Sequence, residues 1–136
     1  MTQSGFPTFR GRFLGVVVLV GLQLIVGVIH IFFGLVMLSG SLSVSFTSTP
    51  LVYSVYTLVY GCLTFVFAYL LWLGKPSGWI GTVAVSLFVI IADTLTVLDL
   101  FTGLGIPASA ALGEIPFSIV VIAYLIQRHV RTKYNI

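Results

Sequence analysis

The sequence predicts an all-α integral membrane protein, a bundle of four transmembrane helices with both termini on the cytoplasmic side. Three observations predict it. The 136 residues are 59% hydrophobic and 7% charged, with mean hydropathy +1.20, whereas a soluble domain carries about 25% charged residues. Four apolar runs, residues 13–38, 51–73, 79–101 and 107–127, are each near or above the ~20 residues that a helix needs to cross hydrocarbon. The charges are also sorted. All six Lys and Arg lie outside the runs, at Arg10, Arg12, Lys75, Arg128, Arg131 and Lys133, while Asp93, Asp99 and Glu114 lie late in the third run and early in the fourth.

Helix is the form these runs must take, because backbone groups in lipid find partners only within their own segment. Barrel strands would be about half as long and would alternate in polarity. Arg10 and Arg12 place the first 12 residues in the cytoplasm, since basic flanks mark that side. The first run is about twice a signal-peptide core of 7–15 residues, so it is expected to stay as a helix. The second and third runs are joined by Gly74-Lys75-Pro76-Ser77-Gly78, a short turn that makes them antiparallel neighbours. Trp72 and Trp79 flank that turn as an interfacial belt. The loops 39–50 and 102–106 carry no basic residue and fall outside. A fourth helix starting at Pro116 would span only about 18 Å, whereas one starting at Pro107 reaches about 31 Å. The fourth helix is therefore expected from Pro107, kinked around Pro116. The alternative is a re-entrant turn over residues 108–113. Residues 128–136 read as a basic cytoplasmic tail, topogenic in the first place and attractive to anionic headgroups in the second.

Each run has a polar stripe. Gln23, Gly27, His30 and Gly34 recur at the spacing of a packing seam, where small residues let backbones approach. Tyr53, Thr57, Tyr60, Thr64 and Phe67 do the same in the second run, and Thr82, Ser86, Val89, Asp93 and Thr96 in the third. Glu114 and Ser118 are one turn apart in the fourth. Lipid rejects such stripes, so they are expected to face inward.

His30, Asp93 and Glu114 each fall about 5–6 Å past the middle of their runs, on the outer side. With Tyr56 and Tyr60 they form a candidate intramembrane proton site. Acids in hydrocarbon face a cavity or a partner and mark proton or ion paths, and histidine titrates near neutral pH. The structural alternative is a single His30–Asp93 or Tyr60–Glu114 hydrogen bond that fixes helix register. Asp99 lies nearer the surface and points away from Asp93.

Other chemistries find less support. A metal set of His30, Asp93 and Glu114 lacks any pair of ligands one turn apart. Haem ligation lacks a second histidine on the same side, since His129 sits past the last run. The lone Cys62 excludes an intrachain disulfide and a multi-cysteine metal site. No hydrolase, phosphate-loop or zinc-peptidase motif occurs. No cofactor, metal or nucleic-acid partner is expected.

Two segments resemble a known group. Leu71-Trp72-Leu73-Gly74-Lys75-Pro76-Ser77-Gly78-Trp79, and Tyr124-Leu125-Ile126-Gln127-Arg128-His129-Val130-Arg131 closed by Tyr134, resemble the inner loop and the ending of small four-helix membrane proteins of bacteria and archaea. The resemblance implies a prokaryotic cell membrane and four helices, and carries over no activity. The leading expectation is a helical interaction or accessory subunit of a homo-oligomer or larger membrane complex, in contact with lipid and other transmembrane helices. The second is a small proton-coupled transporter or channel using His30, Asp93 and Glu114. A membrane enzyme comes third.

Overall fold

The structure, a computed structural model, describes residues 8–9, 12–42, 51–100 and 107–136. A two-residue antiparallel ladder, β1 (Thr8–Phe9) with β2 (Arg12–Phe13), leads into the helices. The helices are α1 (Leu14–Leu42), α2 (Leu51–Trp72), α3 (Pro76–Val97), α4 (Ala108–Leu125) and α5 (Arg128–Lys133). The first four are long and apolar enough to cross a membrane.

Helix ends follow local chemistry. Gly74 ends α2 in the left-handed region at φ +73. Its N–H bonds to the Leu71 carbonyl and that of Lys75 to the Leu70 carbonyl, satisfying two orphan acceptors of the last turn. Lys75 is extended, as a residue before proline must be, and Pro76 opens α3. The helix therefore starts three residues before the expected residue 79. It also stops early, at Val97, in the same type of cap. Asp99 takes the left-handed position at φ 55, and the Leu100 N–H reaches the Leu95 carbonyl. The loop expected at 102–106 lies outside the described residues. Of the loop expected at 39–50, residues 43–50 do too, while α1 runs on to Leu42.

Pro107 caps α4, which is continuous through Pro116. The re-entrant turn over 108–113 is thereby corrected. Pro116 removes one N–H from the ladder without ending the helix, because the turns on either side hold. Eighteen residues give α4 about 27 Å of length. It breaks at Ile126 rather than at Gln127, and the stretch expected as a plain tail folds into α5. Val130 and Tyr134, one turn apart, are buried there and drive that fold.

The close neighbours are α1–α2, α2–α3 and α3–α4, whereas the α1 and α4 backbones hardly approach each other. Glycines permit the α1–α2 approach. A Cβ on Gly34 would stand 2.8 Å from the Leu58 nitrogen, and one on Gly27 3.2 Å from the Gly61 carbonyl oxygen. The stripe of Gln23, Gly27 and Gly34 is thus buried inside the bundle. Across the wider α1–α4 seam, side chains make the contact, with the Tyr124 ring filling the space over Gly15.

The two ends differ inside. At the end carrying both described termini, here the basic end, Val16, Leu19, Ala68, Leu71, Val121 and Leu125 form a dry core together with Val130 and Tyr134. The Tyr134 hydroxyl donates to the Leu71 carbonyl at 2.9 Å, and the Trp79 indole N–H donates to the Leu125 carbonyl at 2.9 Å. Toward the distal end the interior turns polar. From Thr82, Thr64 and Ser118 near mid-bundle to Ser86, Thr57 and Asp93 beyond them, these buried residues carry hydroxyl or carboxyl groups.

Candidate functional site

The site is a polar layer in the distal half, supplied by all four long helices. His30 comes from α1, Tyr56 and Tyr60 from α2, Asp93 from α3 and Glu114 from α4. His30 is held from both sides of its ring. Its Nδ1 donates to the Val26 carbonyl, one turn back, at 2.8 Å, and its Nε2 lies 3.1 Å from Glu114 Oε1.

This pair of contacts fixes the proton count. A carbonyl oxygen only accepts, so the Nδ1 hydrogen is committed to Val26. Nε2 and Oε1 then need one hydrogen between them. Either an imidazolium faces a carboxylate, or a neutral imidazole accepts from a carboxylic acid. With no proton there, two lone pairs would face each other at 3.1 Å. The side chains of His30 and Glu114 are 16% and 21% exposed, so the pair is mostly enclosed yet not sealed.

Tyr60 packs edge-on against the His30 ring, centroids 4.7 Å apart, and Tyr56 stacks on Tyr60 at 6.4 Å. The aromatic edges hold the imidazole plane, while α2 presses on it from behind. Gly61, the next residue, leaves room for the His30 Cβ.

Asp93 is fully buried, and neither carboxylate oxygen has a hydrogen-bond partner among the described residues. The Tyr56 hydroxyl is in the same position. A buried, unpaired carboxylate is among the most unfavourable groups a protein can hold. Asp93 lies in the same layer as the His30–Glu114 pair.

The structure thus joins His30 to Glu114 and Tyr60, brings in Tyr56 through Tyr60, and leaves Asp93 adjacent but unbonded. The two register bonds expected as alternatives, His30–Asp93 and Tyr60–Glu114, are replaced by His30–Glu114, because Glu114 on α4 faces α1 across the wide seam. Asp99 is exposed and serves as the α3 cap. His129 packs against the Phe13 and Tyr124 rings at the basic end, far from His30 along α1. Among the described residues no group of three His, Cys, Asp or Glu is arranged to hold a metal ion.

Two features were not visible in the residue spacing. One is the Val26 carbonyl, which sets the His30 tautomer and has no side-chain signature. The other is a small chamber below the layer, lined among others by Gln23, Thr64, Thr82 and Ser86. A search for relatives adds no constraint: no family model, curated protein or solved structure matches this chain.

Proposed function

We propose that this chain is a multi-pass protein of the cell membrane, with both termini cytoplasmic, that binds and releases a proton at His30–Glu114 and acts as a small proton-coupled carrier. One observation carries the reading. The Nδ1–H bond to Val26 leaves His30 and Glu114 sharing a single proton, and a pair built that way is a proton-binding site wherever the bundle lies in a bilayer. Asp93 supports it as a second buried carboxylate whose ionisation no hydrogen bond relieves. The tightly packed core at the basic end supports a carrier over a channel, since Val16, Leu19, Ala68, Leu71, Val121 and Leu125 close the bundle axis there with apolar side chains.

The basic flanks at Arg10, Arg12, Lys75 and α5 support the orientation. The competing expectation of an accessory subunit drew on the glycine stripe of α1. Gly27 and Gly34 face α2 within the same chain, so that stripe is not free to meet a partner helix.

The test is proton movement in liposomes of defined lipid with a pH dye trapped inside. The parent protein should move protons down an imposed gradient of pH or of co-transported solute. Glu114→Gln and Asp93→Asn should each abolish that movement while keeping the monodisperse fold. Identical dye traces for empty liposomes and parent protein would end the carrier reading, and constant recovery of a partner in mild detergent would favour the subunit reading instead.

A further inference from the structure

Below the His30 layer, toward the basic end, lies an enclosed chamber between α1, α2 and α3, with Phe117 of α4 as its lid. Gln23, Thr64 and Thr82 line it and are 4%, 5% and 1% exposed. The Gln23 Oε1 and Thr82 Oγ1 atoms are buried with no hydrogen-bond partner among the described residues, and the buried Thr64 hydroxyl has the Tyr60 hydroxyl beside it. Ser86 adds a fourth polar wall, and Tyr60 a fifth. Two unpartnered oxygens and a hydroxyl pair, from three different helices, do not line one small space in a packed bundle unless something there bonds to them.

We propose that this chamber binds one water molecule, and that the water is the next proton station inward from His30–Glu114. The space is about 10 Å³, near the lower limit for a single water and too small for two. The polar partners match what a buried water uses, two to four bonds. Gln23 accepts from it, and the two threonine hydroxyls can each donate or accept.

The link to the layer above is Tyr60. Its ring meets the His30 ring edge-on at 4.7 Å and also forms part of the chamber wall. Gln23 is seven residues before His30 on α1, about 10 Å along the helix, too far for a direct proton hop. Both His30 ring nitrogens are engaged by Val26 and Glu114, so in this relay the Glu114 carboxyl hands the proton to the Tyr60 hydroxyl, which passes one to the water. No atom is consumed in such a relay; each group takes a proton on one side and gives one up on the other. Past Gln23 the dry core begins, so the water is the innermost polar station in this conformation.

The inference rests on the proton-site reading, and its test separates the two. Thr82→Val replaces the hydroxyl with a methyl group, and Gln23→Met replaces the amide with an apolar end of similar length. If a water is bonded there, each variant should lower the Tm in detergent by roughly 3–6 °C. The double variant should lose clearly less than the sum, because one removed water cannot be lost twice. Proton release from the pair, followed by the infrared carboxyl band after a pH jump, should slow at least tenfold in Thr82→Val while the band itself remains. A raised Tm, or additive losses, would show a dry chamber and overturn the water. An unchanged rate with a lowered Tm would overturn the relay and leave only a structural water. A parent protein with no titrating carboxyl band would sink the proton site itself, a failure that the Tm cycle does not register.

Discussion

Gly61 backs His30 directly: a Cβ placed on Gly61 would stand 3.0 Å from the His30 Cβ and 2.8 Å from the Ile31 nitrogen. The only atoms in the way are backbone and a Cβ, which have no rotamer in which to retreat. Gly61→Ala must therefore push α1 off α2, at a cost of about 1–3 kcal/mol. It should also move the His30 ring relative to Glu114. Thermal unfolding reads the first effect, and loss of the infrared signature of the shared proton reads the second. A fully stable Gly61→Ala variant would show that α1 and α2 are less closely apposed than described.

Glu114 offers a cleaner separation of charge from shape. In Glu114→Gln the amide N–H can donate to Nε2 of a neutral His30 whose Nδ1 still donates to Val26, so the bond survives with its proton made permanent. Stability should change by less than about 1 kcal/mol. Glu114→Ala leaves Nε2 without that partner and should cost about 1–3 kcal/mol. Comparable losses for the two variants would show that the carboxylate's charge, rather than the bond, holds the seam.

Asp93 should behave in the opposite sense. Its oxygens have no partner among the described residues, so removing the charge removes an unfavourable term. Asp93→Asn and Asp93→Leu should both raise the Tm in detergent, Leu by more, as when a buried charge is replaced by an apolar group. Both should abolish proton movement. A drop in Tm for both would mean that Asp93 is well bonded in the folded protein.

The third acid provides a control. Asp99 is exposed and occupies a left-handed cap position at φ 55, where glycine is least strained. Asp99→Gly should leave proton movement intact and stabilise the α3 end by about 0.5–1 kcal/mol. Loss of activity in this variant would place the functional acid at the wrong position on α3.

At the basic end, Tyr134→Phe keeps the buried ring and deletes the bond to the Leu71 carbonyl. That carbonyl also accepts from Gly74, so it is not stranded. The loss should be about 0.5–1.5 kcal/mol, with faster hydrogen exchange at the α2–α3 turn. An unaffected turn would make α5 an ornament of the fold.

The four long helices were legible because length and apolarity together leave no other form. Their inward faces were legible too: the spacing of Thr82, Ser86, Val89 and Asp93 puts them on one side of α3, and all four are buried. Pairing was not legible. Depth places His30, Asp93 and Glu114 in one layer, but depth says nothing about direction around the bundle axis. Only the packing of α4 across from α1 selects Glu114 over Asp93. Helix ends escaped for a different reason. Pro76 and Asp99 act through backbone angles that overlap between helix, turn and cap, and α5 depends on Tyr134 finding a site on α2 that sequence spacing does not reveal.

The wide seam between α1 and α4 has a mechanical consequence. The fastenings at the basic end, Tyr134 to Leu71 and Trp79 to Leu125, join neutral groups, and no change of acidity near neutrality can undo them. The fastening between His30 and Glu114 exists only while a proton is present. The basic end of the molecule is therefore riveted, and the α1–α4 seam in the distal half is latched. The latch spans a seam where the α1 and α4 backbones hardly approach each other, so side chains alone hold it. In such a body, stiffness along a single edge becomes a function of the acidity around it.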